Sequence, residues 1–324
     1  MLRRAVQLGF LALNVWIGVQ FYLFVRFFET DGRSVWVSRP AGVEGWLPIA
    51  GLMNLKALLL TGAMPEMYPA GLVIFLSFLA ISIVFRKAFC SWLCPVGTLS
   101  EALWKAGKRL FGRSFLLPRW LDWPLRGVKY LLLAFFIKIV VVDMPLFALQ
   151  AFFQNPYGMT LDLRMLDFFR RMGGTSAAVV GALAGASVLV PNFWCRYACP
   201  YGAFMGLGAW LSPLRIRRFP DPCIDCGKCA KVCPSRLPVD VKLNVLSPEC
   251  TGCLECVTAC PVEGALMLAA PARRRVSPWL VAAGVSGIFL AFVAAAKLSG
   301  HWDGAVPVEA WWELVRSAAG AAHP

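Results

Sequence analysis

The sequence predicts an α-helical polytopic membrane protein with about five transmembrane helices, grouped as two pseudo-symmetric helix-pair repeats, and a small α+β domain inserted before the last helix. Three observations carry that reading. The 324 residues are 59% hydrophobic and 15% charged, with a mean hydropathy of +0.65, far above that of a water-soluble domain. Several apolar runs approach the roughly 20 residues a helix needs to cross a hydrocarbon core, where no water satisfies its backbone. The 12 cysteines recur at regular spacings. This balance excludes a soluble globule, and the 13% aromatic content excludes disorder.

In chain order the runs are Ala5 to Phe28, Pro69 to Phe85, Val128 to Leu149, Thr175 to Phe193 and Pro278 to Leu298. Arg3 and Arg4 precede the first, whose apolar run is too long for a signal peptide and lacks a small-residue cleavage site, so a retained anchor is expected. A sixth stretch, Gly45 to Gly62, is interrupted by Pro48, Asn54 and Lys56. It suits a re-entrant or surface-lying helix on the outer face better than a span. Between Ser100 and Arg126, Trp104, Leu110, Phe111 and Trp120 mix with Lys105, Lys108, Arg109 and Arg113. That segment reads equally as an amphipathic stretch on the inner headgroups or as a basic solvated loop.

The net charge is +14, from 32 Lys and Arg against 18 Asp and Glu. In a soluble protein this would suggest nucleic acid; in so apolar a chain it suggests cytoplasmic loops, and nucleic acid is not an expected partner. With the N-terminus inside, five crossings place residues 1–4, 86–129 and 194–276 in the cytoplasm, with 22 of the basic and 8 of the acidic residues. The remainder is neutral, although Arg164, Arg170 and Arg171 fall on the outer side. The expected location is therefore a bacterial cytoplasmic (inner) membrane, crossed several times, with the lipid bilayer as partner and the C-terminus outside.

Eight cysteines form two runs of identical spacing, Cys223, Cys226, Cys229, Cys233 and Cys250, Cys253, Cys256, Cys260, each closed by a proline. Thiolate is the soft ligand that iron takes in a cubane cluster, and in CxxCxxCxxxCP the fourth cysteine serves the other cluster. Cys223, Cys226, Cys229 and Cys260 are expected to hold one 4Fe-4S cluster, and Cys250, Cys253, Cys256 and Cys233 a second. Zinc calls for paired CxxC groups without the third cysteine or the proline, and disulfides are disfavoured in a reducing cytoplasm. The intervening SRLPVDVKLNVLSPE and the trailing EGALML suit the short strands and helices of a bacterial-type di-cluster ferredoxin domain.

The other four cysteines stand in FCSWLCPVG and WCRYACPYG, 105 residues apart, each after an inward-running span. Two helix pairs crossing in the same sense imply a pseudo-two-fold axis along the membrane normal, which would bring the cysteine pairs together. Residues four apart share a helix face, so Cys90, Cys94, Cys195 and Cys199 could present four sulfurs to one site. A further iron-sulfur cluster, a single tetrahedral metal, redox-active thiols and plain packing all remain open there. The resulting organisation is a first repeat over 1–98, an amphipathic loop over 99–127, a second repeat over 128–212, a ferredoxin-like domain over 213–272, a last span over 273–299 and an outer tail over 300–324.

Together with RPAGVEGWLPIAGLMNLK (Arg39 to Lys56) and GHW (Gly300 to Trp302), these motifs resemble the membrane-bound ferredoxin-type proteins, a group that includes NapH, the membrane half of NosR and the YccM-like proteins. The resemblance covers nearly the whole chain and is strongest to the YccM-like type. It implies a respiratory protein passing electrons between the quinone pool and soluble or membrane redox partners, and it places Cys90, Cys94, Cys195 and Cys199 at the family's paired motifs. NosR carries a flavin domain before its spans; this chain enters the membrane within its first residues, so no covalent flavin is expected.

No Ser-His-Asp set, phosphate loop or dinucleotide fingerprint is present, and His301 and His323 are the two histidines. No catalytic residue is assigned: the expected chemistry is electron and proton transfer, by a carrier or quinol dehydrogenase-like subunit. Lys138 and Asp143 at membrane depth, with Lys56 and His301 near the outer surface, are candidates for quinone contact or proton exchange, against snorkelling or pairing as structural charges. The competing reading is an assembly factor of the FixG kind, supplying electrons to reduce a metal or thiol during maturation of another enzyme.

Overall fold

The computed structural model describes residues 2–271 and 274–320 and is mostly helical. In chain order the helices are α1 (Leu2–Glu29), α2 (Pro48–Thr61), α3 (Pro69–Phe85), α4 (Ala88–Trp92), α5 (Pro95–Phe111), α6 (Arg119–Ile137), α7 (Leu146–Gln154), α8 (Pro156–Met159), α9 (Leu161–Arg170), α10 (Gly174–Leu189), α11 (Pro200–Gly208), α12 (Lys228–Lys231), α13 (Glu255–Thr258), α14 (Pro278–Leu298) and α15 (Ala310–Gly320). Between α11 and α14 in the chain come the short strands β1 (Arg215–Arg218), β2 (Asn244–Val245) and β3 (Leu266–Ala269).

Among the described residues, α1 and α14 are long and apolar enough to cross a membrane, and the number of candidate spans rises to four if each of two bent helix pairs counts as one. Only 17% of the apolar window of α1 and 22% of that of α14 is buried. Trp16 and Trp279 accordingly turn most of their surface outward, an arrangement suited to lipid rather than water. α3 coincides with the second expected run but has 17 residues.

Two of the expected runs are corrected. Val128 to Leu149 is not one helix: α6 passes into a π-helical turn, Lys138–Asp143, and the chain then bends by 101° into α7. Pro145 explains the break, because it has no N–H to donate and keeps Met144 (φ −93, ψ 103) out of the helical region. The run Thr175 to Phe193 ends as a helix at Leu189, and α10 is bent by 82° from α9. The stretch from Ser100 to Arg126 is also largely helical, covered by α5 and the start of α6. α5 is closed by Gly112, whose φ of 68° is the left-handed C-cap that glycine adopts most easily.

The chain forms two compact units. The first draws on residues 1–11, 78–133 and 179–289. In it β1 is the centre of an antiparallel sheet of order β2-β1-β3, with Ile216 opposite both Val245 and Leu268. All three side chains are buried. Gly284 lets α14 close onto the end of α3, since a Cβ there would lie 2.2 Å from the Phe85 ring.

The second unit draws on residues 12–77, 134–178 and 290–324. Phe21, Phe24 and Phe28 of α1 form a core with Val43, Leu163 and Trp311. They are spaced three and four apart, which places them on one helix face. Tyr68 joins a second core with Met53, Leu149 and Phe153.

Candidate functional site

The two CxxxCP loops of the first unit end in the same way. Cys94 is the N-cap of α5 and Cys199 the N-cap of α11, and Pro95 and Pro200 follow at the first helical position, where a missing N–H leaves nothing unpaired. The Cys94 sulfur accepts the N–H of Gly97 at 3.4 Å, and the Cys199 sulfur that of Gly202 at 3.3 Å. The CPxG pattern thus caps a helix with sulfur, and the helix N-terminus favours the thiolate form. The leading cysteines differ, Cys90 lying in α4 and Cys195 in a π-helical turn, Trp194–Ala198.

The structure brings these four cysteines together: Cys195 interacts electrostatically with Cys199, Cys94 and Cys90, and Cys94 with Cys90 and Cys199. Burial pushes the Cys90 thiol up to about 11 and the Cys94 thiol up to about 12, and raises Cys195 and Cys199 as well. Sulfurs in such a place ionise only against positive charge. Lys87, 3% exposed, supplies part of it beside Cys90 and Cys199. Among the described residues no three His, Cys, Asp or Glu side chains close on a single point as they do around one ion. The donor set is all thiol, which both an iron-sulfur cluster and a single tetrahedral metal accept.

The other eight cysteines lie in the segment that carries the three strands. Cys223, Cys226, Cys229 and Cys260 line one cavity together with Ile224 and Pro261. Cys256 interacts electrostatically with Cys253, Cys250 and Cys233. The two motif copies share a backbone: Asp225 and Gly252 have φ of 49° and 60°, and Gly227 and Leu254, the N-caps of α12 and α13, have φ of 66° and 62°. Left-handed residues on either side of the second cysteine curl each loop around its own centre. At Leu254, a branched side chain in that region, the conformation is held at a cost. Every cysteine is a free thiol in the structure.

Sequence reasoning missed the charges that brace these loops. Lys129, fully buried, pairs with Glu249 at 2.5 Å, and the Tyr130 hydroxyl donates to the same carboxylate at 2.7 Å. Asp122 accepts both Nε and Nη2 of Arg196 at 3.0 Å and also pairs with Arg126. Burial pushes the Asp122 carboxyl up, but the Tyr197 hydroxyl and the two guanidinium groups outweigh it and hold it low. Arg3, read from sequence as a topology charge, is bonded to Glu101 at 2.7 Å and to Glu255 of α13. Glu249, Arg196 and Glu255 each adjoin a cysteine in the sequence, whereas Lys129, Asp122 and Arg3 carry no such signal.

In the second unit the quinone and proton candidates are placed as follows. Lys56 donates to the carbonyls of Val140 and Val141 at 3.0 Å and to that of Met144, capping the bend that ends the π-helical turn. Lys138 and Asp143 pair with each other at 2.5 Å at the surface. His301 is exposed, with Nδ1 3.1 Å from the Ser299 hydroxyl, and His323 lies outside the described residues. A buried set was not anticipated. Arg39 pairs with Glu44 at 2.9 Å and Asp162 at 2.7 Å, both carboxylates being fully buried, and Gly71 donates its N–H to Glu44 at 3.0 Å.

Comparison with known proteins supplies the context. Residues 68–114 and 172–218 each match the family described as 4Fe-4S binding domain, and residues 215–261 match the 4Fe-4S dicluster domain. The chain is 50% identical to YccM of Escherichia coli over 98% of its own length and 90% of that protein. It is 30% identical to the methylamine utilization ferredoxin-type protein MauN of Methylorubrum extorquens, over 71% of this chain and 79% of that one. To the ferredoxin-type protein NapH of Haemophilus influenzae it is 26% identical over 54% of this chain and 59% of the relative. No solved structure matches.

Proposed function

The chain belongs to the membrane-associated ferredoxin-type electron-transport proteins, and from that premise we propose that it relays single electrons between the quinone pool and a partner redox protein of a respiratory chain. Cubane clusters, when bound, supply reversible one-electron transfer. Cys223, Cys226, Cys229 and Cys260 would hold one, and Cys233, Cys250, Cys253 and Cys256 another. Cys90, Cys94, Cys195 and Cys199 would hold a third centre at the membrane edge. The observation that carries this reading is the gathering of four cysteines from two loops beside the buried Lys87.

The chain's own residues exclude water and fix charge around these centres. Burial alone would lower Lys87, but Cys90 and Glu249 outweigh it and keep the ammonium charged, which favours an anionic centre beside it. In the proposed topology about five segments cross the bacterial cytoplasmic membrane, α3 and the bent pairs among them, with the cysteine loops inside and the C-terminus outside.

The test uses membranes containing the full chain, held anaerobically. Added quinol reduces the clusters, as followed by electron paramagnetic resonance, and a quinone-site inhibitor blocks that reduction. Clusters that ignore quinol, together with an immature, metal-deficient target enzyme after deletion of the gene, overturn the relay in favour of the assembly reading.

A further inference from the structure

The hydrogen bonds between the cysteine loops order the proposed centres, an inference that rests on the cofactor reading above. Ser91 and Trp92 lie between Cys90 and Cys94, and Thr251 and Gly252 lie between Cys250 and Cys253. Ser91 donates its hydroxyl to the Thr251 carbonyl at 2.6 Å, and Trp92 donates its indole N–H to the Gly252 carbonyl at 3.1 Å. The other CxxxCP loop makes the matching contact. Arg196, between Cys195 and Cys199, donates Nη1 to the carbonyl of Pro234, the residue after Cys233, at 3.0 Å.

Further bonds hold the same segment. Arg86 reaches the Ser247 carbonyl at 2.7 Å, and Lys87 lies 4.0 Å from Glu249, which adjoins Cys250. Both CxxxCP loops are thus bonded to loops that carry Cys233, Cys250 and Cys253. These bonds end on Pro234, Ser247, Thr251 and Gly252, which stand beside Cys233, Cys250 and Cys253 rather than beside Cys223, Cys226, Cys229 or Cys260. Two cysteines of the neighbouring group, Cys250 and Cys256, are buried, whereas Cys226 is exposed beside Ile224, which is 65% exposed.

We infer that the Cys233, Cys250, Cys253 and Cys256 centre is the middle member of a three-centre relay, between the paired CxxxCP centre and a solvent-facing Cys223, Cys226, Cys229 and Cys260 centre that meets the redox partner. Tunnelling falls steeply with separation and is carried better by bonds than by gaps, so clusters held by these three cysteine sets would exchange single electrons in that order or its reverse, each oxidised as its neighbour is reduced. Trp92, Ser91 and Arg196 are positioning residues in this arrangement.

Spin coupling identifies the middle member. The purified full chain is reduced completely with photoreduced deazaflavin and examined by low-temperature electron paramagnetic resonance, with iron and labile sulfide quantified. Three cubanes bring about twelve irons per chain. Cys226→Ala removes the outer centre and leaves two signals that still split each other. Cys253→Ala removes the middle centre and leaves two signals of simple, uncoupled line shape. The opposite pattern, uncoupled signals in Cys226→Ala, makes the outer centre the middle one and overturns the order. That single variant decides the matter if Cys253→Ala does not fold. A parent chain holding only about eight irons, with a Cys90→Ser, Cys195→Ser double variant unchanged in spectrum, overturns the cofactor reading beneath it, a result distinct from a wrong order.

Discussion

Arg39 holds Asp162, 123 positions away in sequence, through Nε at 2.9 Å and Nη2 at 2.7 Å, while its Nη1 reaches Glu44 at 2.9 Å. One guanidinium thus serves two fully buried carboxylates, and a net negative charge in so dry a place favours retention of a proton.

That proton resides on Glu44. Burial pushes its carboxyl up to about 7, against the pull of Arg39, with Asp162 adding to the rise. Asp162 accepts both Arg39 N–H groups through Oδ2 and the Leu163 N–H through Oδ1. A raised acid makes the folded chain bind a proton that the unfolded chain has already released. Stability therefore falls as pH rises from the ordinary carboxylate value of 4.5 to about 7 and is level above that. The loss is at most about 3 kcal/mol. Melting in detergent across that window is the check: relative to the parent, Glu44→Gln gains stability as pH rises. A difference independent of pH would be the wrong outcome.

The two CPxG turns differ in how much room they leave. A Cβ on Gly97 would lie 2.3 Å from the Cys90 carbonyl oxygen, whereas one on Gly202 would make ordinary 3.6 Å contacts with the Cys199 sulfur and with Lys87. Gly97→Ala is therefore expected to displace Cys90, costing about 1–3 kcal/mol and lowering iron per chain, while Gly202→Ala retains the parent's iron. Equal iron in the two variants would contradict this.

Lys56 acts as a cap in this geometry. Lys56→Met strips the carbonyls of Val140, Val141 and Met144 of their donor and is expected to cost about 1.5–3 kcal/mol, with Lys56→Arg recovering part of it. Thermal unfolding measures the loss. A Lys56→Met chain of parental stability whose quinol oxidation alone declines would instead mark Lys56 as a proton carrier.

The cysteine groups were legible in the sequence because ligand spacing is local: three sulfurs within seven residues already define one loop. The caps were not read: each cysteine pair was expected on one helix face, whereas Cys94 and Cys199 end the turns that hold Cys90 and Cys195 and cap the helices that follow, because Pro95 and Pro200 keep them out of the helical region. The bend after Asp143 was written in Pro145 but hidden by apolar neighbours, whose uniform hydropathy reads as one span. The pairing of Arg39 with Asp162 and of Lys129 with Glu249 was not legible, because each joins residues more than a hundred positions apart. Arg3 was legible only as charge; its contact with Glu255 depends on where α13 is placed.

Ser91, Trp92, Arg86 and Arg196 pin the backbone around Thr251 and Pro234 at four points. A sheet-bearing segment tethered in this way is no swinging arm that ferries charge between docking stations. Its throughput should not slow in viscous glycerol as that of a tumbling carrier does, and whatever mobility the pathway needs must belong to the protein that visits it.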